Sequence, residues 1–225
     1  MTTSSTPVLT IDGPSGSGKG TIARQVAERL GWHLLDSGAL YRLVSLDASN
    51  RGVAHDDALA LAAIASDLDA EFQVADDGAE RIVLGGKDVT AAVRSEEAGI
   101  GASSVAVIPA VREALLDRQR AFRTAPGLVA DGRDMGTKVF ADAALKVFLT
   151  ASAEERAKRR HKQLKDKGID VSLAAVSRDI VDRDRRDSER SVAPLRPAED
   201  ARILDSSGIP IEEVTQTVLD WVSNI

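Results

Sequence analysis

Apolar residues lie along the chain in two kinds of pattern: short runs, and positions that recur every third or fourth residue. Val8 to Asp12 is a short, mainly apolar run that stops at a glycine-rich loop, which predicts a buried strand. Ile22, Val26 and Leu30 then recur every fourth residue, the spacing of one helix face, and Gly31 fits a helix end. The chain therefore opens with a strand, a glycine loop and a helix.

The same patterns predict further elements along the chain. Apolar runs indicate strands at 128–131, 145–149 and 202–205. Ser152 with Glu155 three residues later is typical of a capping box and predicts a helix start. Further helices are predicted at Ala39–Ser49, Asp56–Leu68, Pro109–Phe122 and Pro210–Val222. Repeated strand–helix alternation favours a parallel α/β sheet covered by helices on both sides.

One segment departs from this alternation. Between Glu71 and Val89, short extended pieces at Phe72–Val74 and Arg81–Leu84 are separated by the turn signals Asp77-Gly78 and Gly85-Gly86. The pattern predicts a small β insert in an otherwise α/β chain.

Composition narrows the class of protein. The 225 residues include 43% hydrophobic residues, enough for a sizeable core, and the net charge is −6 with a pI of about 5.2. That acidity argues against a general nucleic-acid binder, which must neutralise phosphates with Lys and Arg. The chain has no cysteine, so disulfides and thiol chemistry are excluded. Because no basic segment followed by a long apolar run opens the chain, and no run is long enough to span a membrane, a cytoplasmic location is expected.

The glycine loop carries the most specific chemical signal. Gly13, Gly18 and Lys19 satisfy the pattern G-x-x-x-x-G-K, with a strand before it and a helix after it as the pattern requires. Backbone N–H groups of such a loop cradle phosphate oxygens, the helix dipole favours the same anion, and the lysine reaches the β- and γ-phosphates. A glycine-rich turn without a ligand is the alternative interpretation. We expect ATP to be bound here by nine residues: Gly13, Pro14, Ser15, Gly16, Ser17, Gly18, Lys19, Gly20 and Thr21.

One position departs from the strict pattern. Gly20 stands where a Ser or Thr normally follows the lysine to hold the metal, and the hydroxyl comes one residue later, at Thr21. The direct protein ligand of Mg²⁺ is therefore left open. A GTPase is not expected, because neither Asn50 nor Asn224 begins an N-K-x-D guanine signature.

With the phosphate loop, three more segments make the chain resemble the bacterial cytidylate kinases. These segments are Leu35–Arg42, Ala130–Thr137 and the arginine-rich run from Arg183 to Arg190 followed by residues 191–195. The resemblance extends from Val8 to about Asp205. It implies the P-loop nucleoside monophosphate kinase fold: a parallel five-stranded sheet flanked by helices, with a small β-containing insert and a short lid.

The resemblance also implies an activity and its residues. The γ-phosphoryl group of ATP would pass to CMP or dCMP, with Mg²⁺ as the metal. Phosphoryl transfer depends on positioning and charge stabilisation, for which arginine forks are suited. The residues implied for catalysis are Lys19, Asp131, Arg133, Arg183 and Arg190. The residues implied for the acceptor nucleotide are Ser37, Tyr41, Arg42, Ser103, Arg112, Arg133, Asp134, Arg183 and Asp187.

Within the second set, Arg42 and Arg133 would hold the acceptor phosphate. Ser103, Arg112 and Asp134 match positions that recognise cytosine in the family, and Asp187 matches one that holds the ribose hydroxyls.

Simpler interpretations exist for several of these residues. The run from Arg183 to Arg190 also contains acidic residues, so by composition alone it could be a solvated helix face, and the roles of Arg185 and Arg186 are open. Asp131 and Ser37 could be caps of turns or helices. The three histidines, His33, His55 and His161, stand apart without the spacing of metal ligands.

We expect one P-loop unit over residues 7–225. It would comprise a core (7–65, 103–155 and 191–225), an insert with the small sheet (66–102) and a lid (156–190). Partners would be nucleotides rather than nucleic acid or membrane, and the protein would be a monomer. Other functions remain open at this point: a kinase for AMP, UMP or shikimate, a non-catalytic nucleotide-binding module, and a nucleic-acid binder using the charged segment 154–190.

Overall fold

A computed structural model of the protein describes residues 6–74, 80–166 and 168–224. The strands are β1 (Val8–Asp12), β2 (His33–Asp36), β3 (Ala70–Val74), β4 (Glu80–Leu84), β5 (Lys87–Asp88), β6 (Leu128–Gly132), β7 (Leu145–Thr150) and β8 (Arg202–Asp205). The helices are α1 (Lys19–Leu30), α2 (Ser37–Asn50), α3 (Ala58–Ser66), α4 (Thr90–Val93), α5 (Glu96–Val105), α6 (Pro109–Arg120), α7 (Ala153–Asp166), α8 (Leu173–Glu189) and α9 (Ile211–Val222).

The chain forms two compact units. The first unit comprises the chain up to Asp36 together with the chain from Arg120 onward, and the second is Ser37–Gln119. The predicted insert, 66–102, lies within the second unit.

The first unit is built on a five-stranded sheet with the order β2-β6-β1-β7-β8. Every neighbouring pair is parallel, so the predicted fold class is confirmed. In this register Asp12 pairs with Gly132, and Asp36 pairs with Asp131. The carboxyl ends of the central strands therefore meet at one edge, where ligands bind in open α/β sheets.

Apolar packing around this sheet explains the patterns in the sequence. All five residues of β1 and all five of β6 are buried, which accounts for the mainly apolar sequence of both strands. Helices α1 and α9 contribute to the main core cluster through Ile22, Val26, Val214 and Val218. The helical periods predicted in both segments thus mark the faces that the core buries.

Helices α7 and α8, which we call the α7–α8 hairpin, have a small core of their own. Ala157, Leu164, Val176 and Ile180 form this cluster, with Val171 packed against it. Ser152 Oγ accepts a hydrogen bond from the N–H of Glu155 at 3.2 Å, as the capping box predicts. The reciprocal half is not made, because the N–H of Ser152 donates to Ser207 Oγ instead.

The second unit contains the small antiparallel sheet β3-β4-β5, as predicted for the insert. Gly85 and Gly86 both have positive φ in the β4–β5 turn, whereas the predicted Asp77-Gly78 turn lies outside the described residues. Helix α5 approaches α2 closely at Gly101, where an added Cβ would collide with Ser45 Oγ.

Several boundaries differ from the sequence predictions. Helix α3 begins at Ala58 because the Asp57 side chain caps it, accepting from the N–H of Ala60, and α6 ends at Arg120 rather than at residue 122. Strand β2 and helix α5 were not predicted. No single described helix is long and apolar enough to cross a membrane. The two helices α5 and α6 meet that test only if taken together across a bend of 106°.

Candidate active site

The phosphate loop connects the end of β1 to the start of α1. Gly18 is the N-cap of α1 and has a left-handed φ of 92°, which glycine adopts without steric cost. At Gly13 the backbone passes so close to the Leu149 carbonyl that any side chain would collide with it. The loop path at both positions therefore depends on glycine.

Lys19 is the first residue of α1, and its side chain folds back over the loop. Its Nζ donates to the Pro14 carbonyl at 3.2 Å and is buried. Burial, together with the nearby positive charge of Arg133, lowers the pKa of Lys19 to about 8. The loop thus holds a desolvated cation where the phosphates of a nucleotide are expected.

Asp131 lies near the end of β6 and shares this buried region. Burial raises the pKa of its carboxyl to about 7, opposed by the charge of Lys19. Its Oδ1 is buried and has no hydrogen-bond partner among the described residues. A Cβ added at Gly20 would lie 3.2 Å from Asp131 Oδ2, so the missing Ser or Thr side chain leaves this carboxylate clear.

Asp12 fixes the turn that follows β6. Its two carboxylate oxygens accept from the N–H groups of Met135 at 2.9 Å and Gly136 at 2.8 Å. These bonds begin a π-helical turn over Met135–Val139, which places Asp134 at its N-cap. Burial raises the pKa of Asp12 to about 6, against the stabilising backbone hydrogen bonds. A buried carboxylate therefore orients the segment that carries two predicted acceptor-binding residues, Arg133 and Asp134.

Four predicted residues form two ion pairs in the first unit. Arg133 Nε donates to Asp187 Oδ2 at 2.9 Å, and Arg190 Nη2 lies 3.8 Å from Asp134 Oδ1. Burial disfavours the ionised Asp187, but the Arg133 guanidinium outweighs it and holds the pKa of Asp187 below its usual range. These contacts bring the end of β6 and the end of α8 together.

The remaining arginines of α8 differ in their surroundings. Arg183 is half-buried, and its charge acts on both Lys19 and Asp187. Arg185 is exposed and pairs with Asp182 at 3.3 Å, and Arg186 donates to the Asp182 carbonyl. The interpretation as a solvated helix face thus fits Arg185. Arg183 differs, because its charge helps to lower the pKa of Lys19 in the phosphate loop.

The second unit holds the other residues predicted for the acceptor. Arg42 donates to the Val93 carbonyl at 2.9 Å, and the Arg112 guanidinium lies 5.5 Å from the centre of the Tyr41 ring. Ser103 is buried, and its Oγ has no hydrogen-bond partner among the described residues. Ser37 is the first residue of α2 and is also buried. Such buried polar groups are suited to polar contacts with a ligand.

Sequence reasoning missed several residues around the phosphate loop. Arg156 and Arg159 of α7 donate to the carbonyls of Ser15 and Ser17, and Ser206 donates to the Ser17 carbonyl at 3.2 Å. For the two arginines, the sequence offered only their i, i+3 spacing on a predicted helix. That spacing does not reveal what the helix face contacts.

The raised pKa values make stability depend on pH. An unfolded Asp131 would lose its proton near pH 3.8, but the folded protein keeps it up to about pH 7. The unfolded state therefore binds fewer protons in this window, and each such group lowers the unfolding free energy by up to about 1.4 kcal/mol per pH unit as pH rises. We expect Asp131→Asn to gain stability relative to the natural protein between pH 4 and pH 7.

Urea unfolding at pH 4.5, 5.5 and 6.5 measures this difference. The exposed residue Asp179 on α8 provides a matched control, Asp179→Asn. A stability difference for Asp131→Asn that stays constant with pH, or follows that of Asp179→Asn, would contradict the raised pKa.

The acidic residues at the carboxyl edge of the five-stranded sheet are also the candidates for binding Mg²⁺. Among the described residues, no group of three or more His, Cys, Asp or Glu could hold a metal ion by itself. Mg²⁺ needs fewer protein ligands, because it binds through one or two carboxylates together with substrate phosphates and water. The buried Asp131 Oδ1, which lacks a hydrogen-bond partner among the described residues, fits that requirement.

A phosphate loop between a buried parallel strand and a helix, a buried lysine within it and arginines from a helical hairpin define a P-loop kinase. Comparison with known proteins gives the particular family. The sequence profile of the family described as cytidylate kinase matches residues 9–224. The chain belongs to the cytidylate kinase family.

Similar proteins agree with this assignment. A cytidylate kinase of Pseudomonas paraeruginosa is 60% identical over 214 residues, which cover 95% of this chain and 93% of that protein. A cytidylate kinase of Stutzerimonas stutzeri is also 60% identical, over 97% of this chain and 96% of that one. Among solved structures, a gluconokinase from Sinorhizobium meliloti 1021 matches with a TM-score of 0.47 at 14% identity, covering 97% of this chain and 93% of that chain. The fold assignment rests on the sheet order of the protein itself.

Proposed function

We propose that the protein transfers the γ-phosphoryl group of ATP to CMP or dCMP, giving ADP and CDP or dCDP. The observation that carries the proposal is the buried Lys19 in its glycine loop, close to Asp131 and Arg133, in a chain that belongs to the cytidylate kinase family. This cluster supplies a cation for the transferring group and an acid at the same sheet edge.

The donor ATP would bind with its phosphates on the loop from Gly13 to Thr21. Lys19 would contact the β- and γ-phosphates, and Arg183 and Arg190 would approach the transferring group from the lid, residues 156–190. Mg²⁺ would be held by the ATP phosphates and, directly or through water, by Asp131. Bound there, it would neutralise charge that develops on the phosphates.

The acceptor would bind through three groups of residues, one for each part of the nucleotide. Arg42 and Arg133 would hold its phosphate with Ser37 and Tyr41, and Asp187 would bind the ribose hydroxyls with Arg183. Ser103, Arg112 and Asp134 would recognise the base. Since Arg133 and Asp187 pair with each other at 2.9 Å, this binding requires their contact to be exchanged for contacts with the nucleotide.

An ADP-release assay across CMP, dCMP, UMP, AMP and shikimate tests the proposal. We expect turnover with CMP and dCMP to exceed turnover with the other acceptors by at least tenfold. ATP binding without turnover of any acceptor would instead favour a nucleotide-binding module, and faster turnover of AMP or UMP would reassign the acceptor.

The remaining proposals concern the cellular location, the oligomeric state and the binding partners of the enzyme. We propose a cytoplasmic monomer whose partners are nucleotides rather than nucleic acids, in keeping with the net charge of −6. Acidic residues interleave with the arginines of α8, which weakens that helix as a nucleic-acid surface.

Asp134→Asn tests the proposed recognition of the base. Cytosine presents an amino donor where uracil presents a carbonyl acceptor. An ionised Asp134 would accept from the amino group of CMP but would face the carbonyl of UMP, and a buried unpaired polar group costs about 1–3 kcal/mol. An asparagine can offer either its oxygen or its N–H. We expect Asp134→Asn to lower the CMP-to-UMP ratio of kcat/KM by roughly tenfold, since about 1.4 kcal/mol is a factor of ten.

Steady-state kinetics with both nucleotides measure this ratio. A reduction in CMP use with UMP use spared or improved fits the assignment. Equal losses for CMP and UMP would show that Asp134 is structural or catalytic and that the base contact was assigned wrongly.

A further inference from the structure

Two arginines of α7 contact the phosphate loop through its carbonyl groups. Arg156 Nη1 donates to the Ser15 carbonyl at 3.0 Å, and Arg159 Nη1 donates to the Ser17 carbonyl at 3.3 Å. The two arginines are three residues apart, so they lie on one face of the helix. Arg156 contacts the peptide group between Ser15 and Gly16, and Arg159 contacts the one between Ser17 and Gly18.

Planarity of the peptide bond makes these contacts directional. In a trans peptide the C=O and the N–H of the same peptide plane point in opposite directions. Holding the Ser15 carbonyl towards Arg156 therefore turns the N–H of Gly16 away from α7, and holding the Ser17 carbonyl towards Arg159 does the same for Gly18. These are N–H groups of the kind that phosphate loops present to an anion.

The glycines of the loop permit this close contact. A Cβ at Gly16 would lie 3.2 Å from the Cβ of Arg156 and 3.4 Å from its carbonyl oxygen, so the loop packs directly on the α7 backbone. Gly16 and Gly18 both have positive φ, 77° and 92°, which orients their peptide groups in the way that only glycine tolerates easily.

Both guanidinium groups are anchored on other sides as well. Arg156, whose side chain is 6% exposed, forms a two-pronged ion pair with Asp184 of α8 at 2.9 and 2.5 Å, and its Nε donates to the Ala151 carbonyl. Arg159 donates to the Oγ and the carbonyl of Ser206. Guanidinium groups fixed in this way cannot leave the loop carbonyls without losing several charge-assisted bonds.

We propose that Arg156 and Arg159 are positioning residues that hold the phosphate loop in its anion-binding conformation. They orient and polarise the N–H groups of Gly16 and Gly18 by binding the carbonyls of the same peptide groups. Through Asp184, Arg156 also links the loop to the helix that carries Arg183 and Asp187. The inference rests on the proposed function only in that the loop binds the phosphates of a donor nucleotide.

Inorganic tripolyphosphate is the probe that isolates this role, because it has neither base nor ribose. Calorimetry would measure its binding to the natural protein, to Arg156→Gln and to Arg159→Gln. We expect each substitution to weaken binding about tenfold, a typical value for the loss of a hydrogen bond to a charged group. Lys158→Gln is the matched control: it removes the same charge from the same helix, but Lys158 is exposed and pairs with Glu154.

Three results would overturn the proposal. Unchanged tripolyphosphate binding in both arginine variants would show that the loop does not need them, even if ATP binding fell through contacts with the nucleoside. Equal weakening in Lys158→Gln would show that only net charge matters. A failure of the natural protein to bind tripolyphosphate would remove the anion site itself.

Nuclear magnetic resonance of the ligand-free protein gives a readout that does not depend on activity. The amide signals of Gly16 and Gly18 should shift in both arginine variants and stay in place in Lys158→Gln. Arg159→Lys, which keeps the charge but can donate to fewer carbonyls, should fall between Arg159→Gln and the natural protein in tripolyphosphate affinity. Unmoved glycine signals would contradict the inference, whereas a change of preferred acceptor in the turnover assay would affect only the proposed function.

Discussion

Turnover of ATP and CMP is expected to fall by roughly 10³–10⁵-fold in Lys19→Ala, by analogy with the effect of arginine fingers on phosphoryl transfer. The Lys19 ammonium lies buried in the phosphate loop with a pKa of about 8, so it carries a charge at neutral pH in a region that water does not screen.

The fold should survive this change. The Nζ of Lys19 donates to a carbonyl of its own loop, and Asp131, whose pKa is already about 7, can take up a proton when the neighbouring cation is removed. The ADP-release assay and far-ultraviolet circular dichroism measure the two expectations together. Lys158→Ala, on the exposed side of α7, is the control. Near-normal turnover in a folded Lys19→Ala protein would overturn the proposed kinase activity itself.

Arg190→Ala is expected to lower kcat by roughly 10³–10⁵-fold, as for an arginine that stabilises a transferring phosphoryl group, while changing the affinity for ATP only slightly. The proposed contact of Arg190 with the transferring group forms mainly in the transition state, and the loss of such a contact appears in kcat. Arg190 is buried at the end of α8, where its Nε donates to the Ala193 carbonyl and its Nη2 lies 3.8 Å from Asp134.

Steady-state kinetics combined with binding of a non-hydrolysable ATP analogue separate the two effects. Arg178→Ala removes an exposed arginine from the same helix and should behave like the natural protein. If Arg190→Ala weakened analogue binding as much as it lowered kcat, Arg190 would act in ground-state binding and the proposed role would be wrong.

The sequence predicted those parts of the fold whose signal is local. The buried strand β1 appears as an apolar run because both faces of the sheet are covered, and the glycines of the phosphate loop follow from the backbone conformation. The five-stranded sheet and the family followed from the order and spacing of four motifs.

Elements without a local signal were missed. Strand β2 has only four residues, with His33 and Asp36 exposed at its ends, so it shows neither an apolar run nor a clear alternation. Helix α5 is rich in small residues, and its position depends on the contact of Gly101 with Ser45, more than fifty residues away. The π-helical turn depends on Asp12, a similarly remote carboxylate.

The arrangement of charges in the site was predictable only in part. The resemblance implied a set of candidate residues, but not that Arg133 pairs with Asp187 or that Arg190 approaches Asp134. Arg156 looks like one more charged residue on a helix face. Its burial arises from partners at Ser15 and Asp184, which only the folded chain brings to it.

The separate core of the α7–α8 hairpin determines how these helices would move if nucleotide binding shifts them. Because five apolar side chains hold α7 and α8 together, we expect the two helices to move as one rigid piece. Helix α8 has 17 residues; at 1.5 Å per residue it is about 25 Å long, so a rotation of roughly 20° at its base would carry the far end about 9 Å. The chain has no cysteine, so a single Ser172→Cys dye label, paired with one on α9, would report that swing by energy transfer without background labelling.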